Sequence, residues 1–210
     1  MGDTLENFSL QVLHKDSDIT LSKVVVGPID NNVFFVTCGQ TGESVMLDAA
    51  DEHELLLQLC EQTQTRLVLE THGHWDHIGA LTQVRDAGYD VGVGAGDTYR
   101  LPGYDFILEH ETQIEVGKLK IDLISTPGHT EGSICFKVVD KPFLFTGDTL
   151  FEGGPGRTDM PGGDFKTILT SISERLFKFD DDTICFPGHG DVTTIGAEQK
   201  DFQAWVDRGW

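Results

Sequence analysis

THGHWDHIGA, residues 71–80, carries three histidines and one aspartate within the six positions from His72 to His77. Each imidazole brings two polar nitrogens that need partners if the ring is buried, so histidines this dense are poor packing material. The stretch directly follows RLVLE, residues 66–70, whose apolar run predicts a buried strand. It is therefore either a solvated loop or half of a metal site, and the rest of the sequence distinguishes the two.

Three further short motifs place a ligand-type residue at the end of a predicted strand. These motifs are TPGHT at 126–130, TGDT at 146–149 and FPGHG at 186–190. Their candidate ligands are His129, Asp148 and His189, and each stands beside a glycine that lets the backbone bend close to an ion. Five of the eight histidines thus lie at strand-to-loop transitions. A chance distribution would have to produce all four motifs at once, so a metal site is the better interpretation.

Strand and helix patterns alternate along both halves of the chain. Apolar runs predict strands at 21–27, 32–38, 44–49, 66–70, 91–94, 118–126, 132–139, 142–147 and 183–186. Helical spacing predicts helices at 51–62, 78–88, 165–176 and 196–210, with Asp164 and Thr194 as candidate N-caps of the last two. No linker-like change of composition separates the halves, so we predict a single α/β domain over residues 1–210. Two sheets packed face to face, with helices outside, would bury this pattern.

Charge and cysteine usage limit the partners and the compartment. The chain has 15 Lys and Arg against 35 Asp and Glu, a formal net charge of −20, which disfavours nucleic acid and anionic lipid as partners. Its first residues lack a signal-peptide layout, and no apolar run has the length of a bilayer span. The four widely spaced cysteines predict buried free thiols and a cytoplasmic protein. We expect a monomer or a small homo-oligomer.

The four motifs together carry a family resemblance. HGHWDH, PGHT, TGDT and PGHG, in this order and with these intervals, resemble the metallo-β-lactamase fold superfamily. The resemblance spans about residues 20 to 200, with soft boundaries. It implies a four-layer αβ/βα sandwich, in which two mixed sheets carry helices on their outer faces and metals bind at the edge of the two sheets.

The same resemblance implies a set of ligands for each of two divalent metal ions. One ion is assigned His72, His74 and His129; the other is assigned Asp76, His77 and His189; and Asp148 bridges them. Asp76 and Asp148 are also the expected catalytic carboxylates. Imidazole and carboxylate ligands suit Zn²⁺ most, with Fe or Mn as alternatives. Two cations about 3.5–4 Å apart need a bridging anion to offset their repulsion, which agrees with the position given to Asp148.

A dinuclear site of this kind predicts hydrolysis, because it supplies hydroxide at neutral pH and polarises a carbonyl. Asp148 distinguishes this chain from the lactamases themselves, which lack a bridging aspartate at that position. His74 distinguishes it from the flavodiiron oxidoreductases, which carry Glu in place of this histidine. The runs GRTDMPGGDF and FPGHGDVTTIGAE resemble compact members of the glyoxalase II-like thioester hydrolases. The resemblance therefore implies that a hydroxide held between two metals attacks a small-molecule thioester. The substrate would be S-lactoylglutathione or a thioester of a related thiol carrier.

One departure from the family pattern and one residue with two possible roles leave alternatives open. Full-length glyoxalase II carries a C-terminal helical domain that grips glutathione, and this chain stops about where that domain would start, so the thiol carrier stays undetermined. Arg157, in the Gly-rich loop, either binds a substrate carboxylate or braces its loop by pairing with Asp159 or Asp164.

A second reaction class shares the fold and a GRTD segment. Persulfide dioxygenases use a single Fe²⁺, on the site equivalent to His72, His129 and Asp148. Their last histidine motif differs from PGHG, which favours the hydrolase.

Overall fold

A seven-stranded and a six-stranded sheet pack face to face at the centre of the molecule. The computed structural model describes residues 10–209. The prediction that no signal peptide is present falls on the first residues of the chain and lies outside that range. None of the helices within it is both long and apolar enough to span a membrane.

The first sheet follows the order of the chain. Its strands are β1 (Gln11–Lys15), β2 (Ile19–Val26), β3 (Asn31–Cys38), β4 (Ser44–Leu47), β5 (Thr65–Leu69), β6 (Asp90–Gly94) and β7 (Phe106–Leu108). Strands β1 to β4 pair antiparallel, and β4 to β7 pair parallel. Nearly every residue of β3 is buried, because both faces of this sheet are covered, and its apolar run is accordingly continuous.

The second sheet brings three strand ends to one edge. Its strands are β8 (Gln113–Val116), β9 (Leu119–Ser125), β10 (Ile134–Val138), β11 (Phe143–Gly147), β14 (Ile184–Pro187) and β15 (Thr193–Thr194). Their order across the sheet is β15-β14-β11-β10-β9-β8. A short hairpin of β12 (Leu150–Phe151) and β13 (Gly154–Pro155) lies outside it. Strands β9 and β11 both run antiparallel to β10, and β14 runs parallel to β11. The carboxyl ends of β9, β11 and β14 therefore lie at the same edge.

Helices cover the outer face of each sheet. They are α1 (His53–Gln62), α2 (Leu81–Asp86), α3 (Phe165–Ser171), α4 (Ile195–Gln199) and α5 (Phe202–Arg208). A π-helical turn, Ile172–Leu176, continues α3 to the end of the helix predicted at 165–176. One apolar cluster lies between the two sheets, a second lies under α1 and α2, and a third lies under α3, α4 and α5. The four-layer sandwich predicted from the motifs is confirmed.

Two predicted N-caps are confirmed and two predicted helices differ in extent. Asp164 accepts a hydrogen bond from the Thr167 amide at 2.7 Å, and Thr194 accepts one from the Ala197 amide at 3.2 Å. The C-terminal helix divides into α4 and α5, and α2 begins later than predicted because residues 75–80 form turns. Those turns are fixed from outside by the hydrogen bond from the Ala80 amide to the Ala49 carbonyl.

The predicted free thiols are also confirmed. The cysteines on β3, β10 and β14, and the one on α1, are all unpaired and buried.

Candidate metal centre

The predicted ligands meet where four strands end. The loop after β5 carries His72, His74, Asp76 and His77, while β9 leads to His129, β11 to Asp148 and β14 to His189. Ligand-type atoms of these seven side chains form three overlapping groups, each within 4.8 Å. The sequence thus identified every member of this cluster, because each motif follows its strand directly.

Three imidazoles form the first group, here called the His cluster: His72, His74 and His129. The distances are 3.1 Å from His72 Nε2 to His74 Nδ1, 2.8 Å from His74 Nδ1 to His129 Nε2, and 3.2 Å from His129 Nε2 to His72 Nε2. Nitrogens at tetrahedral positions around zinc would be about 3.3–3.4 Å apart, so the triangle needs little expansion to hold an ion.

Electrostatics keeps the His cluster neutral. Burial lowers the pKa of His72 and of His129, and burial together with the neighbouring His129 lowers the pKa of His74 to about 4. At neutral pH these rings therefore present lone pairs to one another, and a cation between them removes that repulsion. Neutral imidazole is the form that binds metals.

The second group, the Asp–His cluster, consists of Asp76, His77 and His189. Asp76 Oδ2 lies 3.2 Å from His189 Nε2 and 3.3 Å from His77 Nε2. Burial alone would lower the pKa of both imidazoles, but Asp148 for His77 and Asp76 for His189 raise it above its usual value. The two carboxylates thus favour positive charge at this point, whether a proton or a metal cation supplies it.

Asp148 faces both clusters. Its Oδ2 lies 3.5 Å from His129 Nε2 and 3.8 Å from His189 Nε2, while its Oδ1 lies 3.4 Å from His77 Nε2. Burial would raise the pKa of Asp148, but His77 and the other imidazoles lower it on balance, so the group is ionised. A Cβ on Gly188 would lie 2.7 Å from His77 Cε1 and would clash with the Asp148 carboxylate, which explains glycine at that position.

Two buried polar atoms within residues 10–209 support a bound ion. His77 Nε2 and Asp148 Oδ1 are both buried, and neither has a hydrogen-bond partner. Unsatisfied buried groups are rare in native proteins and call for an explanation such as an ion. A divalent cation bound by both atoms would satisfy them, so the donor set fits a metal centre.

Hydrogen bonds on the far side of three rings fix which nitrogen faces the centre. His129 Nδ1 donates to the Arg157 carbonyl at 2.7 Å, and His189 Nδ1 donates to the Ile29 carbonyl at 3.1 Å. His77 Nδ1 lies 2.8 Å from the buried Asp48 carboxylate. Each contact leaves Nε2 free for a metal, the usual arrangement of ligating histidines. Asp48 was missed from the sequence, although it directly follows β4 as the other ligand-type residues follow their strands.

Asp97 was also missed, and it ties two ligand loops together. Its Oδ2 accepts from the Gly73 amide at 2.8 Å and from the Thr130 hydroxyl at 2.6 Å, and its Oδ1 accepts from the Gly132 amide at 3.1 Å. Arg100 forms an ion pair with this fully buried carboxylate at 3.4 Å. The segment reads as a polar loop, so the sequence offered no signal for this role.

Two asparagines at the start of β3 hold the Asp–His cluster. Asn31 Nδ2 donates to Asp76 Oδ2 at 3.0 Å. Asn32 Nδ2 donates to the carbonyls of Pro187 and Gly190, both at 3.0 Å, and so fixes the loop that carries His189. Neither asparagine was assigned to the site from the sequence; two amides opening an almost wholly buried strand were the available signal.

Arg157 lines a cavity beside the centre. The cavity has a volume of about 390 Å³, and Asp148, Phe151, Arg157 and His189 are among its lining residues. The Arg157 guanidinium binds the Asp159 carboxylate through two bonds of 2.7 and 2.8 Å. The bracing contact is thus present in the structure, whereas Asp164 caps α3 instead.

Comparisons with known proteins agree with a metal centre at this position. A family model described as the metallo-beta-lactamase superfamily matches residues 26–189. A probable metallo-hydrolase, YqgX, of Bacillus subtilis is 32% identical over 84% of this chain and 93% of its own length. The hydroxyacylglutathione hydrolase GloC of Haemophilus influenzae is 37% identical over 75% of this chain and 84% of its own length.

Solved structures share the fold at similar identity. The B3 metallo-beta-lactamase BLEG-1 is 31% identical with a TM-score of 0.76, covering 86% of this chain and 96% of that one. The protein TTHA1623, in a di-iron-bound form, is 30% identical with a TM-score of 0.75, covering 85% and 96%. ETHE1 from Myxococcus xanthus is 25% identical with a TM-score of 0.74, covering 89% of each chain.

Proposed function

The chain belongs to the metallo-beta-lactamase superfamily, and from this premise we propose that it is a metal-dependent hydrolase of thioesters of the glyoxalase II type. The observation that carries the proposal is the Asp148 carboxylate, which faces the His cluster with one oxygen and the Asp–His cluster with both. A single carboxylate between two groups of donors is the arrangement that a pair of cations requires.

We assign the residues as follows. The His cluster would hold one divalent ion, the Asp–His cluster would hold the other, and Asp148 would offer oxygens to both. Zinc suits this set of imidazoles and carboxylates most, with iron or manganese as alternatives; TTHA1623 is a relative that holds two irons. When bound, two such ions supply hydroxide at neutral pH and polarise a carbonyl oxygen.

The chain's own carboxylates perform the remaining tasks. The pKa of Asp76, which burial would raise, is held below its usual range by His189, His77 and the Asn31 amide, so this group stays ionised. With Asp148 it offers proton-accepting oxygens beside the cavity. The leaving thiolate has a pKa near 8.5, so cleavage needs no strong acid at the other end. S-Lactoylglutathione is the substrate of choice, since relatives are named hydroxyacylglutathione hydrolases.

One observation favours the dioxygenase as a second candidate. His72, His129 and Asp148 form a set of two histidines and one carboxylate, with His129 Nε2 at 3.2 Å from His72 Nε2 and 3.5 Å from Asp148 Oδ2. Such triads hold the iron of non-heme oxygenases. The separate Asp–His cluster is not needed by a single iron, and this supports the hydrolase.

We expect S-lactoylglutathione to be cleaved under nitrogen, and the activity to survive replacement of iron by zinc. Activation of hydroxide needs a Lewis acid and no redox couple, so neither oxygen nor iron is required. An oxygen electrode with glutathione persulfide, run beside a thioester assay and a β-lactam assay, separates three classes. Oxygen uptake without thioester cleavage would establish the dioxygenase, and cleavage of the lactam alone would establish a lactamase.

We also propose that Arg157 binds a substrate carboxylate while it is paired with Asp159. Arg157→Ala is expected to raise KM about two- to fivefold for a carboxylate-bearing thioester, the effect of one exposed ion pair, and to leave a neutral thioester unchanged. Asp159→Asn is the matched control, because it breaks the brace and keeps the cation. Equal losses for both variants on both substrates would mean that Arg157 only stiffens its loop.

A cytoplasmic location and a small-molecule substrate complete the proposal. Four free, buried cysteines are typical of a reducing compartment. A monomer or small homo-oligomer of this acidic chain would have no nucleic-acid or membrane partner.

A further inference from the structure

Arg208, the last residue of α5, lies at the same cavity as Arg157. The cavity has Asp148 and His189 of the metal centre among its lining residues, and it also includes both arginines. The sequence pattern of the C-terminal segment predicts only a helix and assigns no role to Arg208.

Buried packing fixes the helix that carries Arg208. Trp205 is 2% exposed and belongs to the apolar cluster under the second sheet. Its ring lies 5.9 Å from that of Phe202 and 6.4 Å from that of Phe177. Residues three apart share a helix face, so the Trp205 anchor directs Arg208 to the same side. Both side chains lie over the β12–β13 hairpin: a Cβ on Gly154 would be 3.8 Å from Trp205 Nε1 and 3.9 Å from Arg208 Nη2.

Of the two arginines at the cavity, Arg208 is the one whose guanidinium is not paired with an acidic side chain within residues 10–209. Within residues 10–209 its side chain has no hydrogen bond or ion pair, whereas Arg157 is held by Asp159. The acidic side chains among the lining residues are Asp148 and the exposed Glu152. A chain of net charge −20 repels anions in general, so a local pair of arginines is what would admit an anionic substrate.

We propose that Arg208 and Arg157 together bind the anionic part of the thiol carrier, and that the substrates are acyl thioesters of a small carboxylate-bearing thiol. This inference rests on the proposed thioester hydrolysis. Guanidinium groups bind carboxylates and phosphates through paired hydrogen bonds, so both anions match the chemistry. The volume of about 390 Å³ is near the lower end of ligand sites, about 300–1,000 Å³, and this favours the small carboxylate carrier over a nucleotide-bearing one.

Three lactoyl thioesters test the proposal in steady-state kinetics. S-Lactoylglutathione carries carboxylates, lactoyl-coenzyme A carries phosphates, and S-lactoyl-N-acetylcysteamine is neutral. Arg208→Ala is expected to raise KM about tenfold for the glutathione ester, since a hydrogen bond to a charged group is lost. The neutral ester should change less than about twofold, and Arg208→Lys should recover part of the loss. A larger effect on the coenzyme A ester would reassign the anion to phosphate and overturn the carboxylate class.

A control variant and a binding measurement separate this inference from the proposed function. Lys200→Ala removes an exposed cation between α4 and α5, away from the cavity lining, and should leave all three esters unchanged. Calorimetry with S-methylglutathione, which cannot be hydrolysed, should show about tenfold weaker binding to Arg208→Ala. If no thioester is cleaved but this difference persists, the anion site stands and the hydrolase fails. Equal effects on neutral and charged esters, or equal binding by both proteins, would overturn the anion site alone.

Discussion

Asp148→Asn is expected to lose metal from at least one of the two clusters and to lose thioester hydrolysis by about 10²-fold or more. The substitution nearly keeps the shape of the side chain and removes a negative charge from between the donors of two cations. Asp148 Oδ1 faces His77, and Oδ2 faces both His129 and His189, so one change acts on both clusters. Elemental analysis of anaerobically purified protein should find close to two metals per wild-type chain and fewer in the variant.

Asp86→Asn is a matched control for this loss, because Asp86 is exposed at the end of α2 and belongs to neither cluster. It should retain both metals and full turnover. Unchanged metal content and turnover in Asp148→Asn would refute the bridging role. A reproducible single iron in the wild type, with no gain on adding zinc, would instead favour the dioxygenase.

The ligands could be predicted because their signal is local. His129, Asp148 and His189 each follow a strand within a few residues, beside a glycine, and a buried strand is recognisable from its own apolar run. Residues that follow strand ends at the same edge of a sheet are then close together in space. Two sheets with helices outside could be predicted for the same reason, since α1 and α3 show their buried faces in sequence periodicity, and the family resemblance implied the four-layer order.

The surrounding residues could not be predicted because their contacts join distant parts of the chain. Asp97 bonds the Gly73 and Gly132 amides, 24 and 35 residues away, and no spacing rule connects these positions. Strands β7 and β8 were missed in a polar segment, because three- and four-residue strands at or near a sheet edge carry too short a pattern. The sequence left two acidic partners open for Arg157, Asp159 and Asp164, and the choice of Asp159 depends on how the loop folds.

Asp97→Asn is expected to lower metal affinity about 10–100-fold and to lower Tm by about 10 °C. The first effect is typical of losing a buried group that orients ligand loops. The second follows because an amide would set a donor against the Gly73 or Gly132 amide and would leave Arg100 without its charge partner. Breaking a buried ion pair costs about 3–5 kcal/mol, and about 1 kcal/mol shifts Tm by roughly 2–4 °C in a chain of this size.

Asp105→Asn is the control for Asp97→Asn, since Asp105 also pairs with an arginine, Arg85, but at the surface, where both side chains are about a third exposed. Such pairs contribute about 0–1 kcal/mol, so Tm should move little and metal affinity should not change. Zinc affinity is measured by competition with a chelator at a temperature where circular dichroism shows both variants folded. A fall in Tm with unchanged zinc affinity would make Asp97 a purely structural residue. A fall in both, absent from Asp105→Asn, would establish that Asp97 positions the loops of the His cluster.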